Sequence, residues 1–220
     1  MASGIHFKKR VSAAAFVFLL ACVLAFPAPV QAQDLPSLIS FIETVKNGDP
    51  AVLRGVYVPN VMAFAVEQQP AGYAAYVSSA EGTVTQFSIA SEVGNIGLLA
   101  HNTHAGAVFS NIQRGSLIFL VYGDGRTETF RARSVQPYQA LEPYNPYSRF
   151  RDLETQTTLT AEELFNKVYR GEYHLTLQTC IEKDGNLSWG RLFILAFPIQ
   201  NPPLDEDPLT ASIIARRHLD

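Results

Sequence analysis

Residues 173–197 read YHLTLQTCIEKDGNLSWGRLFILAF, a β-hairpin written out in full. From Tyr173 to Cys180 the residues alternate, placing Leu175, Leu177 and Thr179 on one face and Thr176, Gln178 and Cys180 on the other. Lys183, Asp184, Gly185 and Asn186 supply a turn, because an Asp-Gly pair accepts the positive φ that a tight hairpin requires. Arg191 to Phe197 reads as the returning strand. Antiparallel return about Asp184 and Gly185 brings Trp189 to Arg191 back to the level of Cys180, so Arg191 is expected beside the thiol.

Upstream of this hairpin, Thr160 and Glu163 have the spacing of a capping box and Leu159 and Leu164 that of a hydrophobic staple, with Phe165 and Val168 continuing a buried helix face. Gln136 to Thr158 holds Pro137, Pro143 and Pro146 with Tyr138, Tyr144, Tyr147 and Phe150, and reads as a long loop. Its tyrosines either line a groove or pack as exposed loop residues. Further upstream lie a hairpin joining Leu117–Tyr122 to Glu128–Val135 through Gly123, Asp124 and Gly125, and strand-like runs at Val61–Glu67, Val84–Ser91 and Ile96–Ala100. A short helix carrying Leu38, Phe41, Ile42 and Val45 precedes them, ended by Gly48 and Pro50. Many short strands with few helices predict a mainly β sandwich or barrel.

The N-terminus sets the compartment. Lys8, Lys9 and Arg10 precede an apolar run from Val11 to Phe26, followed by Pro27, Pro29 and the small-residue site Val30, Gln31, Ala32, which is the pattern of a secretory signal peptide over 1–32. Two rivals are an uncleaved membrane anchor and lipidation at Cys22 after Leu19, Leu20 and Ala21. Cleavage after Ala32 leaves 188 residues: a helix and lead-in over 33–60, one catalytic domain over 61–200 and a polar tail over 201–220. Three of the 17 basic residues and none of the 20 acidic ones leave with the signal, so the exported chain carries 14 − 20 = −6 and has no nucleic-acid footprint.

Export also leaves Cys180 without a partner for an intramolecular disulfide, and a lone exported cysteine is either a reactive thiol or a small buried hydrophobe. A thiol nucleophile needs a proton partner. His174 lies six residues back on the same strand, roughly 20 Å away at ~3.3 Å per residue, and His218 belongs to the tail. His101 follows the run Ile96–Ala100 at a strand end, and His104 is the reserve. No Cys or acidic residue accompanies these two histidines at zinc-ligand spacing, and no metal or dinucleotide motif is present.

Thr176, Leu177, Gln178, Thr179 and Cys180 resemble the T-L-x-T-C signature of sortases, which cut the sorting signals of surface proteins and join them to amine acceptors. Ala100-His101 resembles the segment bearing that family's histidine, and Trp189–Ala196 its arginine-bearing strand, in matching order over roughly Met62 to Phe197. Ala100 departs from the glycine that often precedes the histidine. The resemblance implies a closed eight-stranded β-barrel with a few short helices. It implies catalysis by Cys180, His101 and Arg191 without a cofactor, and a substrate contact at Thr179. The implied partners are sorting-signal-bearing surface proteins and an amine acceptor, met outside the cytoplasm by a secreted or envelope-anchored protein.

Overall fold

The computed structural model describes residues 35–199, so the signal segment 1–32 with Cys22, and the tail 201–220 with His218, lie outside the described residues. Helix α1 (Leu38–Val45) is the first element among the described residues, its Ser40 N–H donating to Ser37 Oγ, and presents Leu38, Phe41 and Val45 inward. It packs on β1 (Leu53–Val58), where Gly55 lets the Phe41 ring approach: a Cβ at 55 would stand 2.8 Å from that ring. Strands β2 (Met62–Gln68) and β3 (Thr83–Gln86) follow, then α2 (Ser88–Glu92), β4 (Ile96–Ala100) and a 3₁₀ helix over Ala105–Asn111. Next come β5 (Leu117–Tyr122), β6 (Thr127–Ala140), β7 (Phe150–Asp152), β8 (Thr158–Leu159), helix α3 (Ala161–Tyr169), β9 (Leu175–Lys183) and β10 (Asn186–Pro198).

The strands form one sheet in the order β10-β9-β4-β3-β2-β1-β5-β6-β7-β8, and β6 also pairs with β10. That extra pairing closes eight strands into a ring, the predicted mainly β barrel with a few short helices, and leaves β7 and β8 as an extension of β6. Pairing is antiparallel except at β2–β3 and β4–β9. The barrel takes in β1, which belongs to the segment read as a lead-in.

Inward residues such as Val56, Leu98, Ile118, Phe130, Leu175, Leu177 and Ile194 fill the interior. Two smaller apolar clusters lie outside the ring: α1 against Tyr57, Phe119 and Val121, and α3 against Tyr138, Phe193 and Leu195. Helix α3 begins as its sequence predicts, with Glu163 N–H donating to Thr160 Oγ1 (3.1 Å) and Thr160 N–H to Glu163 Oε2 (2.8 Å). The alternation in β9 sends Thr176 and Gln178 outward to meet it. Thr176 Oγ1 donates to Val168 O, and the buried Tyr169 hydroxyl to Gln178 Oε1, both at 2.6 Å.

Two local readings are corrected. The run Val84–Ser91 is a strand only to Gln86, because Phe87 and Ala90 turn back as α2 to cover Gly97 of β4. The segment from Gln136 is not all loop: β6 continues through Pro137 to Ala140. Pro137 O accepts from Leu153 N, so the missing N–H at 137 faces away from β10 and removes no bond from the β6–β10 ladder.

Candidate active site

The β9–β10 turn has the two central residues of a type I′ hairpin, Asp184 at φ 53° and Gly185 at φ 80°. Its register sets Arg191 directly opposite Cys180, within the span Trp189–Arg191 expected at that level, after a register shift between Asn186 and Gly190. On the other side of β9, the parallel β4 pairs Ala100 with Thr179, so His101, the next residue, leaves β4 at the level of Cys180. Adjacent strands are ~4.8 Å apart, so imidazole, thiol and guanidinium arise at one height on three neighbouring strands.

Cys180 is half-buried and a free thiol. Arg191 Nη1 donates to Ser188 O (3.1 Å) and Gly190 O (2.8 Å), which fixes the plane of the guanidinium and leaves Nε and Nη2 as donors. His101 is exposed, its ring edge-on to that of His104 with centroids 6.1 Å apart. His104 Nδ1 is held by Thr103 Oγ1 at 3.0 Å, while His101 has no hydrogen bond from its ring among the described residues. The loop bearing both is tied down at two points. His101 O accepts from His104 N and Gly106 N, and Asn102 Nδ2 donates to Leu187 O on the hairpin arm (3.0 Å). His174 is buried elsewhere, with Nδ1 against Glu172 O and Nε2 against Val168 O.

Two clefts, with no lining residue in common, flank this level. One, of about 410 Å³, runs along the outer face of β9 and β10 beneath α3, with Phe87, Leu164, Phe165, Tyr169 and Phe193 as its apolar walls and Gln178 and Arg191 at one side. The other, of about 240 Å³, lies between the His101 loop and the hairpin, and Thr179, Cys180, Ile181 and Glu182 line it. The tyrosines of the proline-rich segment line neither. Tyr138 is buried edge-on to Phe193 (5.8 Å), whereas Tyr144 and Tyr147 are 81% and 83% exposed. Asn145 and Pro146 between them do reach the larger cleft.

Thr179, expected to touch substrate, is 5% exposed, and its Oγ1 has no hydrogen-bond partner. Gly106 packs over it: a Cβ there would overlap Thr179 Oγ1 and lie 2.8 Å from His101 O. Sequence reasoning missed Gly106 and Asn102, because no local spacing marks a residue that matters only where β4, β9 and the 3₁₀ helix converge.

No family profile and no curated protein sequence matches the chain. Among solved structures it is similar to sortases. Sortase A of Listeria monocytogenes has 14% identity and a TM-score of 0.45, over 68% of this chain and 88% of that one. Sortase A of Corynebacterium diphtheriae has 11% identity and a TM-score of 0.45 (87% and 84%), and sortase C1 of Streptococcus suis 12% and 0.44 (77% and 82%).

Proposed function

We propose that the chain is an exported, sortase-type cysteine transpeptidase that cleaves a sorting-signal peptide through a thioester on Cys180 and passes the acyl group to an amine. The observation that carries the reading is the placement of Cys180, Arg191 and the start of the His101 loop at one level on three adjacent strands, beside an apolar cleft.

The apolar cleft suits an extended peptide whose side chains seek Phe165, Leu164 and Phe193 while its scissile carbonyl reaches the Cys180 level. The thiolate of Cys180 attacks that carbonyl, and the oxyanion receives hydrogen bonds from the free donors of Arg191. Protonated His101 gives its proton to the departing amine as the C–N bond breaks. Neutral His101 then accepts a proton from the incoming amine. The reaction needs no cofactor. The partners are surface proteins bearing sorting signals, and the N-terminal segment delivers the enzyme to the cell envelope, released by cleavage or held by its apolar run.

The test is mass spectrometry of the chain incubated with a library of sorting-signal peptides and a primary amine, beside Cys180→Ala. Joined product that depends on Cys180 is expected. Cleavage with only water incorporated would replace the transpeptidase with a trimming hydrolase. No reaction, together with a Cys180 thiol inert to alkylation, would overturn the enzymatic reading in favour of a binding barrel.

A further inference from the structure

An apolar cleft that takes a peptide must satisfy main-chain polar groups as well as side chains. Gln178 lines it, half-buried, on the face of β9 that also carries Cys180. The β9 backbone at this level is paired on both sides, with Leu99 of β4 and Phe193 of β10. A peptide laid over the face therefore takes no hydrogen bond from the sheet and depends on the lining side chains. Among these, Asn145, Gln178 and Arg191 carry side-chain N–H donors. Asn145 is committed to its own loop, with Nδ2 donating to Glu142 Oε2 (2.7 Å) and Oδ1 accepting from Tyr147 N (2.9 Å). Arg191 serves the oxyanion at the Cys180 level. Gln178 is the donor left for the rest of the peptide.

Its amide is set in one orientation. The Tyr169 hydroxyl donates to Gln178 Oε1 at 2.6 Å, and burial pushes that phenol well above its ordinary value, so it keeps its proton. Turning the amide over would set its NH2 against the phenol and leave the buried phenol proton without an acceptor. Tyr169 cannot follow a moving amide. Its ring lies edge-on to Phe87 (5.2 Å) and Phe193 (6.3 Å) and against Phe165 (5.3 Å), and its carbonyl accepts from Nδ2 of the buried Asn95 (2.9 Å). Gln178 Nε2 has no acceptor among the described residues, so two N–H donors of fixed direction are left on the cleft wall.

We infer that Gln178 is a substrate-binding residue whose NH2 group donates to the main-chain carbonyl two residues before the scissile bond, with Tyr169 as the positioning residue that aims it. The inference rests on the transpeptidase reading and deepens it by fixing the register of the acyl side of the peptide. Residues 178 and 180 stand ~6.6 Å apart at ~3.3 Å per residue, and an extended peptide has the same rise, so two residues separate the carbonyl at Gln178 from the one at Cys180. The acyl side belongs at this end because it stays on the enzyme through both steps, whereas the amine side must leave and be replaced. Held by a main-chain oxygen, the peptide is placed for cutting at one bond whatever side chain that residue bears.

The probe is a pool of acetylated hexapeptide amides randomised at every position, from which the full Cys180→Ala chain retains binders. In the tightest binder each carbonyl in turn is replaced by a thiocarbonyl, a poorer acceptor, and affinity is measured by calorimetry. One replacement, two residues before the bond that the Cys180-containing chain cuts, is expected to weaken binding about tenfold. The same replacement should have no further effect in Cys180→Ala/Gln178→Leu, which itself binds the unmodified peptide about tenfold less tightly. The near-isosteric Gln178→Glu keeps an acceptor for Tyr169 and loses both N–H donors, so it should behave as Gln178→Leu does and serves where that variant fails to fold. Tyr169→Phe, which frees the amide to turn, should reduce the thiocarbonyl penalty to about threefold. Equal penalties with and without Gln178, unaltered affinity in Gln178→Glu, or no retained peptide would overturn the assignment. A chain that shows the coupling yet never acquires a thioester mass on Cys180 fails as a transpeptidase and keeps the Gln178 contact.

Discussion

Replacing Arg191 with Lys keeps a positive charge opposite Cys180 and removes the planar fork. In the wild type, Nη1 is anchored on Ser188 O and Gly190 O, which aims Nε and Nη2 without reorganisation during the reaction. A lysine ammonium at the end of a flexible chain can reach a carbonyl or the oxyanion, but cannot be held by the first while serving the second. Loss of one preorganised oxyanion donor costs about 10²–10³ in rate. Arg191→Lys is therefore expected to slow thioester formation about 10²-fold, equivalent to about 2.7 kcal/mol at 1.36 kcal/mol per tenfold, and Arg191→Ala about 10³-fold. The side chain is only half-buried, so the change in unfolding free energy should stay within about 1 kcal/mol. Rapid-quench single-turnover mass spectrometry measures the first quantity and urea denaturation the second, with iodoacetamide labelling of Cys180 as a control that should change little. A folded Arg191→Lys or Arg191→Ala protein forming thioester within threefold of the wild-type rate would refute the role given to the guanidinium.

His101→Gln is expected to lower single-turnover cleavage at least 10²-fold and His104→Gln less than fivefold, and the opposite order would transfer the proton-transfer role to His104. Gly97→Ala should destabilise by about 1–3 kcal/mol, since its Cβ would lie 2.9 Å from the β-carbons of Ala90 and Phe87 and 3.0 Å from the Tyr169 ring, none of which can swing aside; thermal melting should show a fall of about 2–12 °C. Burial pushes the Asp152 carboxyl upward, but the N–H groups of Thr155 and Glu154 and the Lys167 ammonium outweigh it and hold the group below the usual carboxylate range. Its stabilisation is then fully present above about pH 4 and lost as pH falls through the lowered value, so Asp152→Asn should cost about 1 kcal/mol in urea melts at pH 7, with a gap that closes in strong acid.

The elements that could be read from the sequence are those whose cause is local. The capping box of Thr160 and Glu163 and the Asp184-Gly185 turn each occupy four or fewer residues, and the alternation from Leu175 to Cys180 needs only its own strand. Counting back from that turn brought the span Trp189–Arg191 to the level of Cys180, and an irregularity in register between Asn186 and Gly190, invisible to the count, makes Arg191 the residue opposite the thiol. The strand at Leu53–Val58 was hidden because its neighbours β2 and β5, not its own pattern, define it, and Gly55 in its middle weakens the strand signal while making room for Phe41. Pro137 concealed the length of β6 because a proline's cost depends on which side of the strand is bonded. His101 reached its place by elimination among histidines. Its parallel neighbour lies 79 positions away, and parallel pairing leaves no turn to count from. Neither cleft has a signature in one dimension, since each is walled by segments brought together by barrel closure.

Closure has a consequence in time. Residues 175–198 are the last two strands of the ring, and they supply both the join between β4 and β6 and two of the three proposed catalytic groups. Until they dock, β4 and β6 present unpaired edges, and Cys180 has neither the guanidinium across from it nor the imidazole level with it. A ring sealed by contacts this distant along the chain is slow to complete compared with local hairpins. A chain crossing a membrane from its N-terminus would thus travel as an ordinary thiol-bearing polypeptide. The proposed capacity to cut peptide bonds would then arise in the final step of folding, after such a crossing rather than before it.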